Sequence, residues 1–149
     1  MPSEISAAFA LEQLKKLKKN LALRNRNFLY LKDFFTKNNN FFEVPEKNEN
    51  IKTGWLAFPL LIKKNKFFDR TDLQIFLEKN KIQTRTIFTG NILKQPIMKK
   101  QKYKKHRKSE INSTDIMTRG MLLGCHQGLS LTDLDQVINT IQKFIKNIK

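Results

Sequence analysis

Cysteine, histidine and glycine are scarce in this 149-residue chain, and basic residues outnumber acidic ones 29 to 13. A single cysteine, Cys125, makes no internal disulfide; such usage fits a reducing compartment, and a cytoplasmic location is expected. Of two histidines, His106 stands alone in a basic stretch and His126 adjoins Cys125. That spacing excludes a zinc-type Cys/His ligand set, so no metal is expected. Gly120, Gly124 and Gly128 are spread around an apolar stretch instead of gathered at a helix start, which excludes a phosphate-cradling glycine loop. The longest apolar run, residues 55–62, is too short to cross a bilayer. Met1-Pro2-Ser3-Glu4-Ile5 has no basic region leading into an apolar one, so neither a signal peptide nor a membrane partner is expected. No self-sufficient active site emerges, and no catalytic residue is assigned.

Hydrophobic residues make up 40% of the chain, ordinary for a globular protein with its own core. We expect a single domain over residues 1–149, with a long connecting helix over 1–37 and a small α/β domain over 51–149. The net charge of +16 raises nucleic acid as a partner. Against it, the excess is lysine, 23 against 6 arginines, whereas base and phosphate readers favour arginine forks. Abundant Asn, Ile and Phe beside the lysines, as in Asn38-Asn39-Asn40-Phe41-Phe42, match the bias of AT-rich coding. The alternative function is a basic nucleic-acid-binding protein using residues 99–108, where only Tyr103 offers a stacking surface.

Leu14, Leu21, Phe28 and Phe35 recur every seven residues beside Leu11, Leu17 and Leu31, which predicts a long amphipathic helix ended by the three asparagines. Residues 54–62 read as a buried strand, with Pro59 implying a bulge or an edge. Asp69 with Asp72, Asn112 with Asp115, and Ser130 with Asp133 repeat an N-cap spacing and predict three further helices. Residues 82–88 and 121–126 supply two more strands. The sum is an α/β (α+β-like) small domain: a three-stranded sheet covered on one face by helices.

Two stretches bear on chemistry. In Thr84-Arg85-Thr86-Ile87-Phe88-Thr89-Gly90-Asn91, a strand ending in a Gly-Asn turn presents Arg85 at a sheet end, where anionic ligands are often held; the plainer reading is a turn and a surface charge. In Gly124-Cys125-His126-Gln127-Gly128-Leu129, His126 suits a general acid/base, a sugar-hydroxyl partner or a packed histidine, and Cys125 an inert buried thiol.

Together with Ser3-Glu4-Ile5-Ser6-Ala7-Ala8, Arg24-Asn25-Arg26-Asn27-Phe28, Gly54-Trp55-Leu56-Ala57-Phe58-Pro59, Gln95-Pro96 and Asn112-Ser113-Thr114-Asp115, these motifs resemble, in order, the DegT/DnrJ/EryC1/StrS family of pyridoxal-phosphate (PLP)-dependent sugar aminotransferases and NDP-hexose 3-dehydratases. The resemblance implies fold-type-I architecture, dimers with active sites at the subunit interface, and nucleotide-linked keto-deoxysugars as substrates for polysaccharide biosynthesis. It also implies a cofactor lysine, or a histidine in the dehydratase branch, on a large domain that this sequence lacks, since Met1 falls inside the family pattern. The chain is accordingly expected to be inactive and to bind no PLP alone, and to work with a companion large-domain chain or as a homodimer. Carried over by position, Arg85, Asn91 and His126 are the candidates for the substrate side of the cleft. An interaction module using the exposed face of the first helix for self-association is a third reading.

Overall fold

Ser3 opens the longest helix: its hydroxyl accepts from the Ser6 amide at 3.2 Å, satisfying one of the orphan N–H groups of a first turn. Helix α1 then runs over Glu4–Lys37, about 50 Å at 1.5 Å per residue, and Asn38 closes it, its side-chain amide donating to the Phe34 carbonyl at 2.9 Å. The computed structural model describes residues 3–46, 50–104 and 110–148. The apolar heptad of α1 has two fates. Phe28, Leu31, Phe34 and Phe35 are buried, whereas Leu14 and Leu17 remain 63% and 45% exposed.

Strands β1 (Phe42–Glu43), β2 (Ala57–Ile62), β3 (Thr84–Thr86) and β4 (Gly120–Gly124) form one sheet in the order β1-β2-β4-β3, all neighbours antiparallel. The expected three strands are present, shorter or shifted, and β1 is an addition. Two residues carry no alternation to read; β1 exists because the chain reverses after α1 and buries Phe42 opposite Ile62. Strand β3 stops at Thr86 because the Phe88 amide folds back onto the Thr86 carbonyl at 3.0 Å, with Phe88 at φ 41°. Pro59 sits within β2 in unbroken register with Leu122. On its other side β1 reaches only Leu61 and Ile62, so β2 is an edge at the proline and no ladder partner is lost.

Helices α2 (Arg70–Lys79) and α4 (Leu131–Asn147) start as the spacing predicts, each with a reciprocal capping box, Asp69 with Asp72 and Ser130 with Asp133. Helix α3 corrects the third expected cap. It spans Glu110–Arg119, so Asn112 lies inside it. Asp115 faces forward, 2.7 Å from the Arg119 guanidinium, which also donates to the Ile62 carbonyl at 2.7 Å. The acid therefore fastens the end of α3 to β2.

Burial alternates along β2: Phe58, Leu60 and Ile62 are buried, while Ala57, Pro59 and Leu61 are half-buried. The buried face meets Phe28, Leu31 and Phe35 of α1, Leu73 and Leu77 of α2, and Leu134, Ile141 and Phe144 of α4 in one core. Aromatic packing dominates it: Phe35 stacks on Phe58 with centroids 5.2 Å apart, and Trp55 lies flat on Phe28 at 3.7 Å.

Candidate functional site

Strand β4 delivers its last residues to one end of the sheet. After Gly124 comes Cys125, fully buried, with its thiol 3.6 Å from the Trp55 carbonyl. Burial pushes the thiol pKa up to about 11, against the opposing charge of Arg24, so it stays protonated and inert, as the sequence suggests. His126 follows, exposed, in a turn closed by the Leu129 amide donating to its carbonyl at 3.1 Å. The neighbouring β3 turns Thr84 inward, where its amide donates to Glu78 Oε1 at 2.6 Å. Alternation then puts Arg85 on the outward face.

Arg85 and His126 thus line the same groove, about 360 Å³, with Lys81, Gln83, Leu122 and Val137. The Asp133 carboxylate also lines the groove, held by the Ser130 hydroxyl and amide; with that acid engaged, two cations and an imidazole over apolar walls suit an anionic, oxygen-rich ligand. Asn91 is placed elsewhere. It is 2% exposed; its amide donates to Thr114 Oγ1 at 3.0 Å and its Oδ1 accepts from the Leu93 amide at 3.0 Å. It caps a short 3₁₀ turn, Ile92–Lys94, and ties that turn to α3. A larger hollow of about 670 Å³ runs beside Trp55 and Phe28 and holds none of the three candidates.

Of the basic stretch at 99–108, residues 105–108, including His106, lie outside the described residues; Tyr103 is half-exposed. Among the described residues no group of three or more His, Cys, Asp or Glu side chains is gathered as a metal would need, and no helix is long and apolar enough to cross a membrane.

Besides Arg119, three arginines carry structural duties that sequence reasoning missed. Arg24 Nε donates to Gln127 Oε1 at 2.8 Å, Arg26 Nη2 to the Leu129 carbonyl at 3.2 Å, and Arg70 Nη1 to the Met117 carbonyl at 2.7 Å. For Arg24 and Arg26 the signal was the polar run Arg24-Asn25-Arg26-Asn27, a full turn of α1 between Leu23 and Phe28; Arg70 had none.

The family model for the DegT/DnrJ/EryC1/StrS aminotransferase family matches residues 2–142. The chain belongs to this family. It is similar to the lipopolysaccharide biosynthesis protein RfbH of Salmonella typhimurium, 33% identical over 95% of this chain and 32% of that protein. It is likewise 33% identical to the GDP-4-keto-6-deoxy-D-mannose 3-dehydratase of Escherichia coli O55:H7, over 85% of this chain and 32% of the relative. A crystal structure of GDP-4-keto-6-deoxymannose-3-dehydratase with a trapped PLP-glutamate geminal diamine superposes with a TM-score of 0.82 at 30% identity, covering 93% of this chain and 35% of that one. The aminotransferase PseC of Helicobacter pylori, 21% identical with a TM-score of 0.81, shares the fold. The chain therefore spans about a third of the length of the relatives it matches, and its architecture is that of a part of a fold-type-I PLP enzyme.

Proposed function

We propose that this chain is the C-terminal part of a PLP-dependent sugar enzyme of the 3-dehydratase branch, acting on a nucleotide-linked keto-deoxysugar in the cytoplasm. It is one small domain carried on α1. The cofactor-bearing part of the fold lies outside these residues. The observation that carries the reading is the match itself: nearly the whole chain aligns, at about a third identity, with a third of a 3-dehydratase.

The described residues support placing the cofactor on the rest of the fold, because they do not fit PLP. None of the described lysines is buried, so no amine stands in an enclosed site. The N-termini of α2 and α4 are filled by their own Asp72 and Asp133, which leaves neither helix end to a phosphate. What this chain contributes is the groove of Arg85 and His126, turned toward the sugar or its diphosphate; Asn91 holds a 3₁₀ turn outside that groove. The exposed first half of α1, with Ile5, Phe9, Leu14 and Leu17 open to solvent, is the face for the cofactor-bearing part.

The test is reconstitution. The chain is mixed with PLP, glutamate as the amino donor, GDP-4-keto-6-deoxy-D-mannose and the N-terminal two thirds of the E. coli relative. Turnover is expected only when both polypeptides are present, and Arg85→Ala should raise the KM at least about tenfold. Turnover by this chain alone would overturn the cofactor placement. An inactive mixture, under conditions where the relative's own two parts are active together, would overturn the substrate reading.

A further inference from the structure

Asn27 is fully buried on α1, the one polar residue beside Phe28, Leu31, Phe34 and Phe35 among the buried residues of that helix. Asparagine is a poor helix former there, and a buried amide must satisfy its polar atoms. Its Oδ1 accepts from Nε and Nη2 of Arg26 at 3.0 and 2.8 Å. Its Nδ2 donates to the carbonyls of His126 and Leu129 at 2.8 and 3.4 Å. With Arg26 on the Leu129 carbonyl and Arg24 on Gln127, one turn of α1 grips the whole turn from 126 to 129.

That turn also orients a ring. The Gly128 amide donates to His126 Nδ1 at 3.2 Å. With Nδ1 accepting, the neutral imidazole carries its proton on Nε2. The Gly128 backbone lies so close that a Cβ there would stand 3.1 Å from Nδ1. The exposed ring lines the groove beside Arg85.

We infer that Asn27, braced by Arg26, is a positioning residue for His126. It holds the 126–129 turn so that Nε2 stands at the groove as a hydrogen-bond donor to an oxygen of the sugar or diphosphate of a nucleotide sugar. The ligand's identity rests on the function proposed above; the grip and the tautomer do not.

Two-bond ¹H–¹⁵N correlation spectra of the ¹⁵N-labelled full chain, at about pH 8 where an ordinary imidazole is neutral, read the tautomer directly. A single Nε2–H form of His126 is expected. Asn27→Asp keeps the size and the acceptors for Arg26 but removes the donor to the His126 carbonyl. It should bring the two tautomers into exchange, drawing the ring-nitrogen shifts together, while the amide shifts of β2 and β4 stay in place. Arg26→Lys, which loses the fork but keeps the charge, should act in the same direction and serves if Asn27→Asp does not fold. Unchanged His126 ring shifts in the folded variants, or a wild-type ring already averaging both tautomers, would overturn the positioning role. Titration with GDP-mannose separates the ligand from the grip. Movement of the His126 and Arg85 side-chain signals is expected; a silent His126 beside an intact tautomer effect would overturn the ligand and leave the grip standing.

Discussion

At Gly90 the backbone stands at φ +65°, and an added Cβ would lie 2.4 Å from both Cα and Cβ of Met117. Both the left-handed conformation and the backbone contact demand glycine. Gly90→Ala should destabilise the chain by about 1–3 kcal/mol in urea unfolding. Gly124→Ala, whose Cβ would meet only ordinary contacts at 3.6 Å and beyond, should stay within about 0.5 kcal/mol. Two acids make a pH statement. The Ser130 hydroxyl and amide, donating to its carboxylate, hold Asp133 below the usual carboxylate range, and the Arg119 guanidinium does the same for Asp115. A depressed folded pKa contributes stability that is complete above the unfolded value and lost as pH falls through the folded one. The acid limb of the Tm-against-pH curve, below the ordinary 3.8, should therefore flatten in the Asp115→Asn/Asp133→Asn double variant.

Along α1 one apolar register serves two purposes, and only the environment separates them. Leu31 is fully buried and Leu14 is 63% exposed, although both belong to the same heptad pattern. Leu31→Ala should cost about 2–5 kcal/mol of stability. Leu14→Ala should leave the isolated chain within about 0.5 kcal/mol, but weaken capture of the N-terminal two thirds of the E. coli relative in a pull-down. A helix whose first half is exposed among the described residues gains little stability from tertiary contacts. Amide exchange from Phe9 to Leu17 should thus be fast in the chain alone. The repeated cap spacing was legible for α2 and α4, where acid and cap are within one turn of each other and the bonds are local. It misread α3, because Asp115 found a stronger partner in Arg119 four residues on.

At the scale of the molecule, the charge of +16 opposes compaction through self-repulsion that salt screens within about 8 Å at physiological ionic strength. Raising NaCl from about 0.02 to about 0.2 M should raise the Tm, the reverse of what a fold held by surface ion pairs would do. The family motifs also take on a different meaning once the chain is folded. Asn91 of the Gly-Asn turn bonds Thr114 of the Asn-x-Thr-Asp stretch, Gln95 of the Gln-Pro pair donates to the Thr89 carbonyl at 3.3 Å, and Gly90 packs on Met117. Motifs far apart in sequence are largely the two halves of knots that hold loops in place. Of the candidate site, the sequence pointed to Arg85 and His126, the first on a strand and the second just past one. It offered no means of seeing that they share a groove and that Asn91 does not.

What the sequence determined by itself is what local chemistry dictates. The span of α1 follows from a seven-residue period stopped by asparagines, the starts of α2 and α4 from capping boxes, and β2 and β4 from short apolar runs. Family membership was legible too, because motif order survives without any knowledge of contacts. Only the tertiary structure decided which half of α1 is buried, that β1 exists, and that Arg24, Arg26 and Asn27 meet residues 126–129. A hydrogen bond spanning 99 residues of chain, such as that from Asn27 to His126, leaves no periodic trace in the sequence. It exists because the core, by burying Phe28, Leu31 and Phe35 against β2 and β4, brings the polar face of one turn of α1 under the end of a strand.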